Sequence, residues 1–137
     1  MAAQQISTKK LVKSGPMLNA YPDSIGGTLG NIVDFMQKSE LDDAFQAFYI
    51  LPSVFNTDLD RGFSVIDYEL NELYASTDDL DELKKMNIAL KFDFVLNHAS
   101  VLSAQFQDIL KNGENSAYKD FFIQWNKFWD GYGQMTD

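Results

Sequence analysis

Apolar residues along the chain follow two spacings, one typical of short buried strands and one typical of helices that pack on them. Residues 16–21 form an apolar run that ends at a turn with a glycine pair, which predicts a brief strand. Thr28 is placed to cap a helix whose apolar positions share one face: Leu29, Ile32, Val33 and Met36. Residues 44–51 are apolar on both alternating faces, which predicts a strand in the interior of a sheet.

A third strand is predicted over residues 88–97, where side chains alternate in polarity. One face carries Leu90, Phe92, Phe94 and Leu96, and the other carries Lys91, Asp93, Val95 and Asn97. One face can therefore meet helices, whereas the other must accommodate the carboxylate of Asp93. Before this strand, Ser76 and Asp79 have the spacing of a capping box at the start of a short helix.

The remaining stretches are less regular. Residues 53–67 show little periodicity and predict a long loop, which makes them the first place to look for chemistry. Residues 102–110 predict a helix that the pair Asn112-Gly113 ends, and residues 118–129 predict a second, very aromatic helix. Such an aromatic stripe belongs to a core or an interface more often than to a ligand site.

The order strand, helix, repeated three times, predicts a parallel α/β arrangement. Three strands are few, since a complete (β/α)8 barrel takes about 250 residues. We therefore expect this chain of 137 residues to be part of a larger fold. The lysine-bearing segment 1–13 is followed by no apolar run long enough for a secretory core, so we expect a soluble, unprocessed protein.

Charge and composition narrow the classes of partner. The chain has 20 acidic and 11 basic residues and a formal net charge of −9, which repels nucleic acid and anionic membrane surfaces. The absence of cysteine excludes thiol catalysis, thiolate zinc sites and disulfides, and it favours a cytoplasmic location. A neutral partner such as a sugar is compatible with this composition.

Ligands of α/β folds bind beyond the carboxyl ends of the parallel strands, so the residues that follow the three strands should share one crevice. These residues are Tyr21 and Asp23, then Asp60 with Phe63, then Asn97 with His98. A carboxylate accepts hydrogen bonds from sugar hydroxyls, a neutral imidazole donates or accepts them, and an aromatic ring packs on the C–H face of a pyranose. The set predicts a sugar subsite in which neither Asp60 nor His98 need be catalytic.

Plainer interpretations remain open. A single histidine such as His98 at a strand end is about as often a satisfied structural residue. Asp93 has no identifiable partner in the sequence, so either its strand is exposed or an arginine reaches it from elsewhere. Asp58–Gly62 is weakly similar to a calcium loop, but Phe63 stands where that loop needs glycine. No nucleotide, serine-hydrolase or zinc-protease motif occurs, so we expect neither a metal nor a cofactor.

Four segments together resemble a known family. Asp93–His98 (DFVLNH) resembles the D-x-x-x-N-H segment at the third barrel strand of the α-amylase clan, glycoside hydrolase family 13. Asn19–Gly26 (NAYPDSIG) is similar to the first-strand T-Y-x-D-S-L-G of the sucrose phosphorylases in that clan. Ile50–Pro52 (ILP) and Asp60–Tyr68 (DRGFSVIDY) are similar to their L-L-P and D-R-G-F-x-P-I-D-Y. The matches occur in the family's order.

The resemblance implies a fold and an activity. Residues 1–112 correspond to the first three β/α units of a catalytic (β/α)8 TIM barrel, and residues 113–137 to the start of the domain inserted after strand three. The implied parent enzyme is a glycoside phosphorylase that reversibly transfers an α-glucosyl unit from sucrose or a related α-glucoside to phosphate. It gives α-glucose 1-phosphate by a retaining double displacement.

The resemblance also implies roles for residues. Asp60 and His98 hold glucosyl hydroxyls, Phe63 offers an apolar platform, and Asp93 with Asn97 is structural. Tyr21 and Asp23 are carried over less directly. The family's nucleophilic Asp, acid Glu and third Asp follow strands four, five and seven, so we expect no catalytic residue in this chain and no activity from it alone.

Two questions stay open at this level. The segments 53–56 and 64–65 depart from the sucrose phosphorylase pattern, so donors such as sucrose 6-phosphate, glucosylglycerol or glucosylglycerate are compatible as well. The alternative function is a non-catalytic sugar-binding module, in which a half-barrel forms a homo-oligomer through its open strand edges and aromatic face.

Overall fold

The computed structural model of the chain describes residues 14–41 and 43–132. Its strands and helices follow in the order β1 Met17–Ala20, α1 Leu29–Met36, β2 Ala47–Ile50, β3 Phe55–Leu59, β4 Ser64–Leu70, α2 Thr77–Lys85, β5 Ala89–Phe92, α3 Ala104–Asn112 and α4 Trp125–Phe128. The lysine-bearing segment 1–13 and residues 133–137 of the predicted inserted domain lie outside the described residues. No helix in the described ranges has the length and apolar character needed to cross a membrane.

Three parallel strands form the main sheet in the order β1-β2-β5. In its register Asn19 pairs with Tyr49, and Tyr49 pairs with Lys91. The prediction of an interior second strand is confirmed, because β2 has a neighbour on each side and buries Phe48 and Ile50. The parallel order predicted from the sequence is confirmed as well.

All three strands are shorter than their sequence patterns predicted, and β5 differs most. The pattern predicted a strand to residue 97, but the strand ends at Phe92, which pairs with the last residue of β2, Ile50. Chain beyond that point has no strand to pair with in the described part of the protein. Phe94 and Leu96 are consequently 67% and 76% exposed.

Helices α1 and α2 cover one face of this sheet. The hydroxyl of Thr28 accepts a hydrogen bond from the Asn31 N–H at 3.4 Å, and Ser76 and Asp79 make both bonds of a capping box. Both predicted helix starts are therefore confirmed. The buried cluster between sheet and helices consists of Ala20, Leu29, Ile32, Val33, Met36, Phe48, Ile50, Val54, Ala75 and Leu83. Burial of each large side chain there stabilises the fold by about 1.5–3 kcal/mol, so the helix side holds the sheet together.

The prediction of a long loop over residues 53–67 is wrong, because β3 and β4 pair there as an antiparallel hairpin. The register shifts between Phe55 and Thr57 and again between Thr57 and Leu59. These irregularities break the period-two alternation by which a strand is recognised in a sequence. The Thr57 hydroxyl lies 2.9 Å from the carbonyl oxygen of Leu59 and 2.8 Å from that of Ser64, so it ties the two strands together at the turn.

The C-terminal part agrees with the sequence patterns only in part. The predicted helix over 102–110 is confirmed as α3, which ends at Gly113 with a φ of 52°. The predicted aromatic helix over 118–129 is confirmed only from Trp125 to Phe128. Before it, the Ser116 hydroxyl accepts the Tyr118 N–H at 3.0 Å, a local bond that favours a turn over a helix. The division at residue 112 stays a prediction.

Candidate functional site

The face of the sheet opposite the helices carries polar side chains, with Tyr49 at its centre. The Tyr49 hydroxyl donates to Asp93 Oδ1 at 2.5 Å, and Lys91 Nζ lies 3.9 Å from the centroid of the Tyr49 ring. The hydrogen bond to Asp93 is the main reason that the pKa of Tyr49 lies above its usual value, with burial and the charges of Asp93 and Tyr21 adding to it. Lys91 and Asp93 therefore share the polar face, as predicted, and the partner that the sequence did not identify for Asp93 is the Tyr49 hydroxyl rather than an arginine.

A second cluster joins the end of β1 to the turn of the hairpin. Arg61 Nη2 lies 2.6 Å from Asp23 Oδ1, and the Arg61 guanidinium carbon lies 4.0 Å from the centroid of the Tyr21 ring. A planar guanidinium stacks well on an aromatic face while its N–H groups bond to a carboxylate. Tyr21 and Asp23, both predicted as sugar contacts, thus contact Arg61.

The turn between β3 and β4 presents Asp60. Asp60 and Arg61 have positive φ angles of 55° and 49°, and Gly62 follows with 105°. Asp60 is exposed, and within residues 14–41 and 43–132 no side chain pairs with its carboxylate. Phe63, half-buried, donates its N–H to the Asp60 carbonyl at 3.2 Å. An exposed carboxylate without a side-chain partner is available to a ligand hydroxyl.

Asn97 and His98 lie in the segment after β5, and both are exposed. They line an apolar groove of 840 Å³, whose other lining side chains include Tyr68, Phe94, Leu96, Leu102, Phe121 and Ile123. Tyr68 anchors one wall, because its hydroxyl donates to the Val95 carbonyl at 2.7 Å and its ring lies 4.8 Å from that of Phe94. Burial raises the pKa of Tyr68, and the Val95 hydrogen bond partly offsets this.

Hydrogen bonds connect the hairpin that bears Asp60 to the segment that bears His98. The Ser100 N–H, two residues after His98, donates to the Val65 carbonyl of β4 at 2.8 Å. Hydrogen bonding by Ser64 lowers the pKa of the Asp58 carboxyl; burial opposes this, and hydrogen bonding by Ser100 adds to the lowering. The hairpin and the segment after β5 are therefore adjacent.

The structure brings together some of the predicted site residues. Asp23 and Asp60 line one depression of 370 Å³, which Arg61 also lines. His98 and Asn97 line the apolar groove instead. No contact within the described ranges joins Asp60 to His98, so their binding of one sugar stays a prediction. Among those same residues, no three His, Asp or Glu side chains converge to hold a metal ion.

Two residues of the site were missed by sequence reasoning. Tyr49 was counted only as part of an apolar strand, although its register opposite Lys91 places it two residues from Asp93 on the same face. Arg61 was present in the segment similar to D-R-G-F but was given no role. The position of Arg61 next to Asp60 could have drawn attention to it. Its partners Tyr21 and Asp23 could not be deduced from spacing, because they lie on another element.

Comparisons with known proteins identify similar chains. Residues 24–132 match the family described as "Alpha amylase, catalytic domain". The chain is 60% identical over 119 residues to the sucrose 6(F)-phosphate phosphorylase of Ilumatobacter coccineus, which covers 87% of this chain and 23% of that protein. It is 37% identical to the sucrose phosphorylase of Streptococcus mutans, over 82% of this chain and 23% of that protein.

A solved structure shows the same arrangement. The crystal structure of sucrose 6F-phosphate phosphorylase from Thermoanaerobacter thermosaccharolyticum superposes with a TM-score of 0.82 and 34% identity, and covers 93% of this chain and 26% of that one. The chain thus spans about a quarter of the length of the relatives that it matches. Its three parallel strands with their helices correspond to the beginning of a longer fold.

Proposed function

Because this chain belongs to the α-amylase catalytic-domain family, we propose that it is the N-terminal part of a glycoside phosphorylase. The proposed enzyme reversibly transfers an α-glucosyl unit from a donor to phosphate and releases α-glucose 1-phosphate. Its two displacements each invert the anomeric carbon, so the product retains the α configuration. The observation that carries this proposal is the 60% identity to a sucrose 6(F)-phosphate phosphorylase across 87% of the chain.

The preferred donor in this proposal is sucrose 6(F)-phosphate. The choice is supported by the 60% identity to the sucrose 6(F)-phosphate phosphorylase of Ilumatobacter coccineus, while a second phosphorylase of that name and the sucrose phosphorylase of Streptococcus mutans are each 37% identical. The departures at segments 53–56 and 64–65 from the sucrose phosphorylase pattern are compatible with this donor, as they are with glucosylglycerol and glucosylglycerate. Phosphate is the second substrate, and the reaction requires neither nucleic acid nor membrane.

The residues of this chain bind and orient the donor in the proposed reaction. Asp60 accepts hydrogen bonds from glucosyl hydroxyls, His98 donates or accepts another, and Phe63 packs on the apolar face of the ring. The Ser100–Val65 hydrogen bond supports this assignment, since it holds the segments of His98 and Asp60 side by side. Asp93 keeps a structural role through Tyr49, while nucleophile and acid come from later strands of the barrel.

A phosphorolysis assay tests the proposal. The open reading frame extended beyond codon 137 is expected to release α-glucose 1-phosphate from sucrose 6(F)-phosphate in the presence of phosphate, and more slowly from sucrose. Asp60→Asn is expected to lower kcat/KM by about 10- to 150-fold, the loss of one charged hydrogen bond. The control Asp34→Asn, on the exposed side of α1, should change nothing. Absence of phosphate-dependent product from the extended protein contradicts the proposal.

A further inference from the structure

The turn that carries Asp60 has an unusual backbone. Asp60, Arg61 and Gly62 have successive φ angles of 55°, 49° and 105°. Glycine adopts such angles freely, whereas other residues do so only when their surroundings hold them there. Aspartate adopts such angles more readily than most residues, and the Asp60 carbonyl accepts the Phe63 N–H within the turn, so Arg61 is the residue that most needs support from its surroundings.

The back of the turn is supported by close packing. Gly62 is buried, and a Cβ on it would lie 2.2 Å from the backbone of Pro52 and Ser53. This contact fixes where the chain passes but leaves Arg61 to be held by other means. Arg61 is 57% exposed at its side chain, so burial does not hold it.

Two contacts of Arg61 supply the missing support. Its guanidinium stacks on the Tyr21 ring at 4.0 Å and pairs with Asp23 at 2.6 Å. An ion pair at this exposure contributes little by itself, but a planar guanidinium held by a ring and a carboxylate together has a defined orientation. The chain that follows β1 is thus linked directly to the residue beside Asp60.

We propose that Arg61 is a positioning residue, which holds the turn so that the Asp60 carboxylate faces the glucosyl unit. The inference rests on the proposed function for the role of Asp60. It gives Tyr21 and Asp23 the task of anchoring Arg61. Under this proposal, loss of the contacts that Arg61 makes with Tyr21 and Asp23 weakens binding of the glucosyl unit only by displacing Asp60.

Hydrogen–deuterium exchange on the extended protein tests the anchor without any assay of activity. Arg61→Ala is expected to speed exchange of the amides in residues 55–70 by about tenfold, the size expected from one stacking contact and one exposed ion pair. The matched control is Lys85→Ala, which removes an ion pair with Glu82 of the same 2.6 Å length on α2. Equal amide exchange rates in the hairpin of both variants would show that Arg61 does not hold the turn.

Kinetics test the positioning. Arg61→Ala is expected to lower kcat/KM for the glucosyl donor about tenfold in the wild-type background and not at all in an Asp60→Asn background. Additive losses overturn the proposal, because Arg61 then acts independently of Asp60. If Arg61→Ala does not fold, Asp23→Asn and Tyr21→Leu take its place in both measurements. An inactive wild-type protein contradicts the proposed function, while the exchange measurement still decides on the anchor.

Discussion

At the scale of single residues, a carboxylate on the inner face of the sheet is tolerated because a tyrosine on the next strand bonds to it. The sequence predicted that Asp93 points inward, since alternation is a local property. It could not predict that Tyr49 is the partner, because that depends on the register between β2 and β5. The same holds for Arg61, whose partners lie about forty positions away in the chain.

The Tyr49–Asp93 pair predicts a pH effect. Asp93→Asn is expected to lower the pKa of Tyr49 toward its usual value, because the charged acceptor is removed. Tyrosine resonances in an NMR titration of the folded protein measure this. Tyr68 is the internal control, since burial raises its pKa and the substitution leaves that burial intact. An unchanged Tyr49 titration contradicts the assignment.

The stability of the fold should depend on this titration. A folded-state pKa above the unfolded value of about 10 means that folding favours the protonated tyrosine. The stabilisation is fully present below that unfolded value and is lost as pH rises through the higher folded pKa. Urea unfolding between pH 8 and 11 should therefore show a steeper loss in the wild-type protein than in Tyr49→Phe. If the free energy of unfolding falls equally with pH in both proteins, the titration of Tyr49 does not contribute to stability.

Gly62 should be far less replaceable than another glycine with a similar backbone. Gly62→Ala is expected to cost at least about 2 kcal/mol, because the added Cβ meets the Pro52 backbone and φ is positive. Gly27→Ala, at a φ of 98° with nothing within 4 Å, should cost only the backbone term of about 1 kcal/mol. Midpoints of urea unfolding compare the two. Equal costs would show that the contact with Pro52 is not tight.

At the scale of elements, the sequence predicted the helix caps and the parallel order of the sheet, but it missed features that depend on the exact register between strands. The caps of α1 and α2 and the end of α3 at Gly113 depend on neighbouring residues, and they were predicted correctly. The hairpin β3–β4 was missed because its register shifts remove the alternation. The end of β5 was missed because a strand continues only as far as its partner does.

The serines that precede α2 and α3 should contribute differently to the free energy of unfolding. Ser76→Ala removes a capping-box bond and is expected to destabilise the protein by about 1 kcal/mol. Ser103 precedes α3 without a side-chain cap, and its buried hydroxyl has no partner within the described residues. Ser103→Ala is therefore expected to be neutral or slightly stabilising. Thermal or urea unfolding separates them, and equal losses would contradict the difference in capping.

At the scale of the whole molecule, the described chain has one well-covered face and one open side. Phe94, Leu96 and Ile123 around the apolar groove are 67%, 76% and 73% exposed. Patches of this kind mark interaction surfaces. In the fold of the family, the beginning of the barrel has further strands beside it, which accounts for apolar residues at the β5 edge.

The isolated segment 1–137 should consequently self-associate. Such a homo-oligomer, formed through open strand edges and the aromatic face, is part of the alternative function proposed from the sequence. Sedimentation velocity at rising concentration is expected to show faster species, and Phe94→Ser with Leu96→Ser should reduce them. The matched control Leu73→Ser changes a side chain that is 77% exposed but lies outside the groove. A monomer at all concentrations would contradict this expectation.

The candidate site was predicted from the sequence by the positions of its residues after the predicted strands and by family motifs. Asp60 and His98 line different cavities, but the hydrogen bond from Ser100 to Val65 joins the two segments that bear them. The central claim is that these two side chains bind one glucosyl ring.

A crystal structure of the extended protein with glucose tests that claim most directly. We expect an Asp60 carboxylate oxygen and a His98 imidazole nitrogen each about 2.7–3.2 Å from hydroxyls of the same ring. Glucose bound with either side chain beyond hydrogen-bonding distance would contradict it.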